Sequence, residues 1–162
     1  PGMGKNPESL EAVQLIIENC DNLVIDADAI KLYDFNSKNI IMTPHKGEIE
    51  RLGISSKYQE IINFAAKNNI TIVLKGETDY ITDGIYFKQN RTGHPRMAVG
   101  GTGDILAGFL GTLLAKGLTP YESGRLASYS LGLAGEMAYN EIGPGFLPTD
   151  LGLFLSKVLR IN

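Results

Sequence analysis

The stretch Ile72-Val73-Leu74-Lys75-Gly76-Glu77-Thr78-Asp79 decides the fold. Its apolar start is too short for a helix and has no polar face, which is how a strand buried on both sides reads. The run stops at a lysine followed by a glycine, so the chain leaves the core on a charged residue. Similar runs precede it at Leu23-Val24-Ile25 and Ile40-Ile41-Met42. Helical patterns lie between them. One covers residues 7 to 20, with Asn6 as cap, Pro7 at the first position and Leu10, Val13, Ile16 and Ile17 apolar. Another runs from about Lys57 to Asn68 and is broken by Asn68-Asn69. Alternating helices and buried strands predict an α/β fold with a mostly parallel sheet between helical layers. After Gly76 the pattern changes: Tyr80-Ile81 and Ile85-Tyr86-Phe87 flank Asp83-Gly84, which predicts a two-residue turn and a terminal antiparallel hairpin.

In an open parallel sheet, ligands sit outside the carboxyl ends of the strands. Asp26 and Asp28 follow the first run, Thr43-Pro44-His45 the second and Lys75-Gly76 the third, so the polar motifs fall on one rim. Downstream, Gly100-Gly101-Thr102-Gly103-Asp104 opens an apolar helix marked by Ile105, Leu106, Phe109, Leu110, Leu113 and Leu114. Glycines there leave backbone amides bare, and the positive end of the helix dipole favours an anion such as phosphate. Asp104 then lies within reach of whatever the phosphate is attached to, as phosphoryl transfer requires of a base. The plainer alternative is that Thr102 or Asp104 simply caps the helix. Further helices are expected at about 103 to 116, 120 to 140 and 150 to 159. Gly108, Gly111, Gly124, Gly132 and Gly135 fall inside them, which predicts close helix packing as compensation.

Composition narrows the class. The chain has 162 residues, 43% hydrophobic and 20% charged, which suits one soluble core. Net charge is -3 and the basic residues are scattered, so no nucleic-acid surface is indicated. A single cysteine, Cys20, builds neither a disulfide framework nor a zinc site and reads as a small buried hydrophobe. No apolar run approaches the roughly 20 residues of a membrane span, and no secretory signal precedes the first motif, so the cytoplasm is the expected location. Pro1-Gly2-Met3-Gly4 is a glycine turn with no strand ahead of it, as in a chain entered partway.

The chain resembles the ADP/ATP-dependent NAD(P)H-hydrate dehydratases, which are ribokinase-like proteins. The resemblance rests on Pro-Gly-Met-Gly at 1 to 4, Asp-Ala-Asp-Ala at 26 to 29 and Thr-Pro-His-Lys-Gly-Glu at 43 to 48. It continues with Leu-Lys-Gly and Thr78 at 74 to 78 and Gly-Gly-Thr-Gly-Asp-Ile-Leu-Ala-Gly at 100 to 108. Asp150-Leu151 also looks like the family. It implies a three-layer α/β/α ribokinase-like domain over residues 1 to 162, with the N-terminal part of the domain missing. The implied activity is cofactor repair: phosphorylation of the ring hydroxyl of NAD(P)H hydrate, then elimination of phosphate. Mg2+ and ADP or ATP are the implied cofactor and co-substrate. A homo-oligomer, tetramer or larger, is implied as well.

The same resemblance assigns roles. Asp104 is the implied catalytic base and touches the substrate together with Gly4 and His45. Lys75, Gly76, Glu77, Thr78, Asp79, Gly101, Thr102 and Gly103 match nucleotide-contacting positions. Glu48 falls where the superfamily places a magnesium-linked acid, and Asp26 and Asp28 could bind magnesium through water or serve in turns. His94 is expected on the surface without a partner. Two other readings stay open: a ribokinase-like small-molecule kinase of the hydroxyethylthiazole or hydroxymethylpyrimidine type, or an inactive nucleotide-binding module.

Overall fold

The computed structural model describes residues 2–4, 6–33, 35 and 39–160; Pro1 of the opening glycine turn lies outside them. In chain order the elements are α1 (Pro7–Asn19), β1 (Asn22–Ile25), β2 (Asn39–Met42), α2 (Lys46–Arg51), α3 (Tyr58–Asn68) and β3 (Thr71–Leu74). They continue as β4 (Asp79–Thr82), β5 (Phe87–Asn90), α4 (Thr102–Ala115), α5 (Pro120–Ile142) and α6 (Leu151–Val158). The strands form one five-stranded sheet in the order β1-β2-β3-β4-β5. β1, β2 and β3 are parallel, and β4 and β5 return antiparallel, as predicted.

Side-chain alternation divides the core. Ile40, Met42, Ile72 and Leu74 face α1, α2 and α3 through Val13, Ile17, Ile49, Ile61 and Ala65. Their neighbours Ile41 and Val73, with Ile81 of β4, face Leu110 of α4, Ala127 and Leu131 of α5 and Phe154 of α6. The sheet is thus the middle of three layers. β2 and β3 carry almost no exposed residue, which is why they read as unbroken apolar runs. Each fully buried aliphatic chain contributes about 1.5–3 kcal/mol relative to exposure, so this double-sided packing holds the strand ends in place.

The helix boundaries have local causes. The Asn6 side chain accepts the Ser9 amide at 2.7 Å and Pro7 occupies the first turn of α1. α3 ends where Asn69 turns left-handed, at φ 50° and ψ 45°. Thr119 and Glu122 cap α5 reciprocally, and the helix runs past the expected 140 to Ile142, where Gly143 stops it. None of the described helices is long and apolar enough to cross a membrane.

The hairpin differs from its sequence pattern. Ile85 and Tyr86 are loop residues, exposed, and β5 starts only at Phe87. The reason is Asp83, whose Oδ1 accepts the amides of Ile85 at 2.9 Å and Tyr86 at 2.7 Å, while Thr82 Oγ1 donates to the Tyr86 carbonyl. These side-chain bonds outcompete a tight two-residue turn. Cys20 is only half-buried, at the end of α1. Gly124 packs closely on the sheet, its Cβ position 3.0 Å from Ile81 Cγ2, but Gly108 and Gly111 face no atom of the described residues within 4 Å. Close packing therefore accounts for the glycines of α5 and not for those of α4.

Candidate functional site

Three strand ends converge. The carboxylate of Asp26, just past β1, accepts Thr43 Oγ1 from the end of β2 and Lys75 Nζ from the end of β3, both at Oδ1 and both at 2.7 Å. Asp26 is 3% exposed. The backbones meet there too: the Lys75 amide donates to the Pro44 carbonyl at 2.8 Å, and His45 and Lys75 form a parallel bridge. Asp26 precedes a single 3-10 turn at Ala27–Ala29 but makes no side-chain cap for it, so its carboxylate is free for these distant partners.

α4 aims its N-terminus at this cluster. A Cβ on Gly103 would lie 3.5 Å from Lys75 Nζ and 3.6 Å from Asp26 Oδ2. The cap, Gly101, has φ 99°, a left-handed conformation that glycine adopts without strain. Among the described residues no side chain caps α4. Thr102 Oγ1 is buried with no partner among the described residues, so it does not serve the amides as the capping alternative required. The Thr102 amide reaches Val99 at 3.4 Å, while those of Gly103 and Asp104 meet no acceptor among the described residues. Asp104 is exposed in the first turn. Pro148, opening a 3-10 turn before α6, packs at 3.3 Å from the Gly101 Cβ position and closes one side. The result is a helix start with free amides, an ammonium beside it and a carboxylate at its lip, an arrangement that favours an anion.

His45 caps α2. Its Nδ1 accepts the Glu48 amide at 3.2 Å, and its own amide donates to Glu48 Oε2 at 2.8 Å. Nδ1 is thereby the acceptor nitrogen, and Nε2 lies 3.4 Å from Glu48 Oε1. The ring itself remains largely exposed on the rim.

The segment from Lys75 to Asp79 is a closed turn. Asp79 Oδ1 accepts the Gly76 amide at 3.0 Å, and Asp79 Oδ2 accepts Asn90 Nδ2 at 3.0 Å. Burial pushes the Asp79 carboxyl up, against the Asn90 and Gly76 hydrogen bonds and the Lys75 charge, which pull it down. Asp79 therefore shapes the turn from inside, while Gly76 and Glu77 are exposed and Thr78 is half-buried. Asn90 was not singled out in the sequence, since an asparagine followed by Arg-Thr-Gly reads only as a turn. Gly4 sits in an exposed left-handed turn, φ 76°, and no hydrogen bond or ion pair among the described residues joins it to His45 or Asp104. His94, expected without a partner, stacks on Tyr139 with centroids 3.7 Å apart and accepts the Arg96 amide.

A concavity of about 810 Å³ lies elsewhere, at the opposite ends of β2 and β3 beside Thr119 and Arg125. Its acids are already engaged: Glu122 binds Thr119, and Asp83 binds the hairpin amides. The convergence of free amides, Lys75 and Asp104 makes the other rim the stronger candidate. Among the described residues no three His, Cys, Asp or Glu side chains converge to hold a metal.

Known proteins are similar to this chain in sequence and fold. The chain is 37% identical over 150 residues to the bifunctional NAD(P)H-hydrate repair enzyme Nnr of Archaeoglobus fulgidus, covering 93% of this chain and 32% of that protein. It is 39% identical over 146 residues to the ADP-dependent (S)-NAD(P)H-hydrate dehydratase of Cenarchaeum symbiosum, covering 84% and 51%. The ADP/ATP-dependent NAD(P)H-hydrate dehydratase of Bacillus subtilis, co-crystallized with ATP/Mg2+, superposes with a TM-score of 0.89 at 27% identity, covering 99% of this chain and 62% of that one. A ribokinase-like superfamily protein from Enterococcus faecalis superposes with a TM-score of 0.82 at 25% identity, covering 99% and 61%. The chain therefore spans about a third to a half of these curated relatives and under two thirds of these solved chains. The NAD(P)H-hydrate dehydratase profile matches residues 1–157, and the chain belongs to that family, with its ribokinase-like fold.

Proposed function

We propose that this chain contributes the phosphoryl-transfer half of a nucleotide-dependent NAD(P)H-hydrate dehydratase, which returns hydrated NADH or NADPH to the reduced dinucleotide. The observation that carries the reading is the start of α4, uncapped by any side chain of the described residues, with Lys75 Nζ held beside Gly103. The terminal phosphate of ADP or ATP would meet the Gly103 and Asp104 amides, with Lys75 opposing the charge that develops on it. Hydroxide is a poor leaving group, so direct loss of water from the hydrated ring is slow. Asp104 takes the proton of the ring hydroxyl as its oxygen attacks the terminal phosphorus. The bond from phosphorus to the nucleotide breaks in the same step. Electron density from the ring nitrogen then expels phosphate, and the adjacent ring carbon gives up a proton to restore the double bond. His45, exposed on the same rim, would touch the hydrated ring.

Magnesium fits this donor set in one way. With no three-acid cage among the described residues, the ion would arrive on the nucleotide's own phosphates and partly neutralise them, as Mg2+ commonly does in phosphoryl-transfer sites. Names of the relatives favour ADP as donor, with ATP an alternative.

The test mixes the full-length protein with hydrated NADH, magnesium and either ADP or ATP. Return of the near-ultraviolet absorbance of reduced nicotinamide, matched by release of inorganic phosphate, is the expected result. Absence of both with either nucleotide rejects the reading, and a stable phosphate ester in place of free phosphate identifies a kinase instead.

A further inference from the structure

The pairing of Asp26 with Lys75 calls for an explanation beyond stability. A buried ion pair is a poor stabilising device, because desolvation of both charges offsets most of their attraction. Asp26 is 3% exposed and Lys75 is largely buried, yet an aspartate before a 3-10 turn could simply have capped it. Instead its Oδ1 receives two donors from two other strand ends, at 2.7 Å each. The effect is on placement. A lysine stem has four rotatable bonds, and left alone it would sweep the rim. Here Nζ is fixed 3.5 Å from the Gly103 Cβ position, beside the amides that α4 leaves free.

We propose that Asp26 is a positioning residue. With Thr43 as its second anchor, it holds the Lys75 ammonium at the start of α4, so that the cation is in place before the terminal phosphate of a nucleoside diphosphate or triphosphate arrives. The ordering of the lysine is then met on folding and not at each binding event, which is the general benefit of preorganisation. The carboxylate also opposes the attraction of an anion, so the two effects act in opposite directions and experiment can separate them. This inference rests on the nucleotide reading above.

The experiment measures binding of Mg·ADP and Mg·ATP by calorimetry to the full-length protein and to Asp26→Asn, Lys75→Met and the double variant. Asp26→Asn keeps the shape and removes the charge. Each single variant is expected to raise Kd about tenfold or more, and the double variant to be no worse than Lys75→Met alone, because coupled residues give non-additive cycles. A purely structural role for Asp26 would persist in the Lys75→Met background, so losses that multiply overturn the proposal. Binding by Asp26→Asn that equals or exceeds that of the wild type overturns it as well, since it would mark Asp26 as a restraint on Lys75. If Asp26→Asn does not fold, Thr43→Val carries the test: it removes only the second donor, and a rise in Kd of about two- to fivefold that vanishes in the Lys75→Met background is expected. Here too, no rise, or one that persists there, overturns the proposal. Wild-type protein that binds neither nucleotide overturns the nucleotide reading and this inference together, whereas wild-type binding with multiplying losses overturns the pairing alone.

Discussion

His45 and Glu48 cap one helix reciprocally: the His45 amide donates to Glu48 Oε2 at 2.8 Å, and the Glu48 amide donates to His45 Nδ1 at 3.2 Å. The acid that superfamily resemblance connects with magnesium is thus committed to a neighbouring amide, and it is nearly buried. Glu48→Ala removes an acceptor from the His45 amide and loosens the ring. A loss of about 1 kcal/mol is expected from the broken cap, read by urea denaturation, with Glu48→Gln retaining most of it. Equal stability of Glu48→Ala and the wild type would refute the capping role.

Asp104 is exposed at the lip of α4, its carboxylate with no hydrogen bond or ion pair to another described residue. Asp104→Asn should leave folding and nucleotide binding intact while turnover falls by about a hundredfold or more, the range of a lost general base. Single-turnover kinetics with bound nucleotide separate the two effects, and full turnover in the variant would remove Asp104 from the chemistry.

Gly103→Ala divides stability from function. The new methyl would sit 3.5 Å from Lys75 Nζ and 3.6 Å from Asp26 Oδ2, ordinary contact distances, so the fold accepts it and helix propensity favours it by up to about 1 kcal/mol. The same methyl occupies the space a phosphate needs. Thermal melting should show an unchanged or raised midpoint, and calorimetry a weakened affinity for Mg·ADP. Undiminished affinity would mean that the phosphate lies elsewhere.

The glycines of α5 are not equivalent. A Cβ on Gly132 would lie 2.6 Å from both the carbonyl carbon and the oxygen of Thr92, which are backbone atoms with nowhere to go. One on Gly135 would press on Met97, 2.8 Å from Cγ, a flexible side chain that can turn aside. Gly132→Ala is expected to cost about 2–3 kcal/mol, and Gly135→Ala about 1 kcal/mol or less, on the scale of overpacking strain. Urea midpoints in the reverse order would contradict the packing described for the segment leading to Gly101.

Asp79 makes stability depend on pH. Its carboxyl is raised by burial, so the folded protein holds that proton more tightly than the unfolded chain does. Its contribution is therefore full below the ordinary value of 3.8 and is lost as pH rises through the raised value. Asp79→Asn cannot titrate. The melting midpoint of the wild type relative to this variant should fall as pH climbs through that window at constant salt, and a flat difference would show that the burial is compensated.

Much of this was legible in residue order. Ile40 to Met42 and Ile72 to Leu74 read as buried strands because both their faces are covered, and the rim followed from where Asp26, Thr43 and Lys75 end those runs. Pattern could not show that Asp26 and Lys75 form a pair. They are 49 residues apart, and nothing local in either neighbourhood names the other. The hairpin was misread for a local reason, since Asp83 can bond the amides two and three residues ahead and so lengthens the loop. His94 found Tyr139 through tertiary packing, which periodicity does not encode.

The division of the core between two helical layers sets an order of assembly. Every strand pairs with its chain neighbour, so the sheet can zip as it is synthesised, and α1, α2 and α3 are at hand to cover one side. The other side has to wait, because α4, α5 and α6 all follow β5 in the chain. Until they emerge from the ribosome, Ile41, Val73 and Ile81 face water. A nascent chain stalled ahead of α5 would thus present a greasy, half-clad sheet to chaperones, and the late helices complete the fold as well as the site.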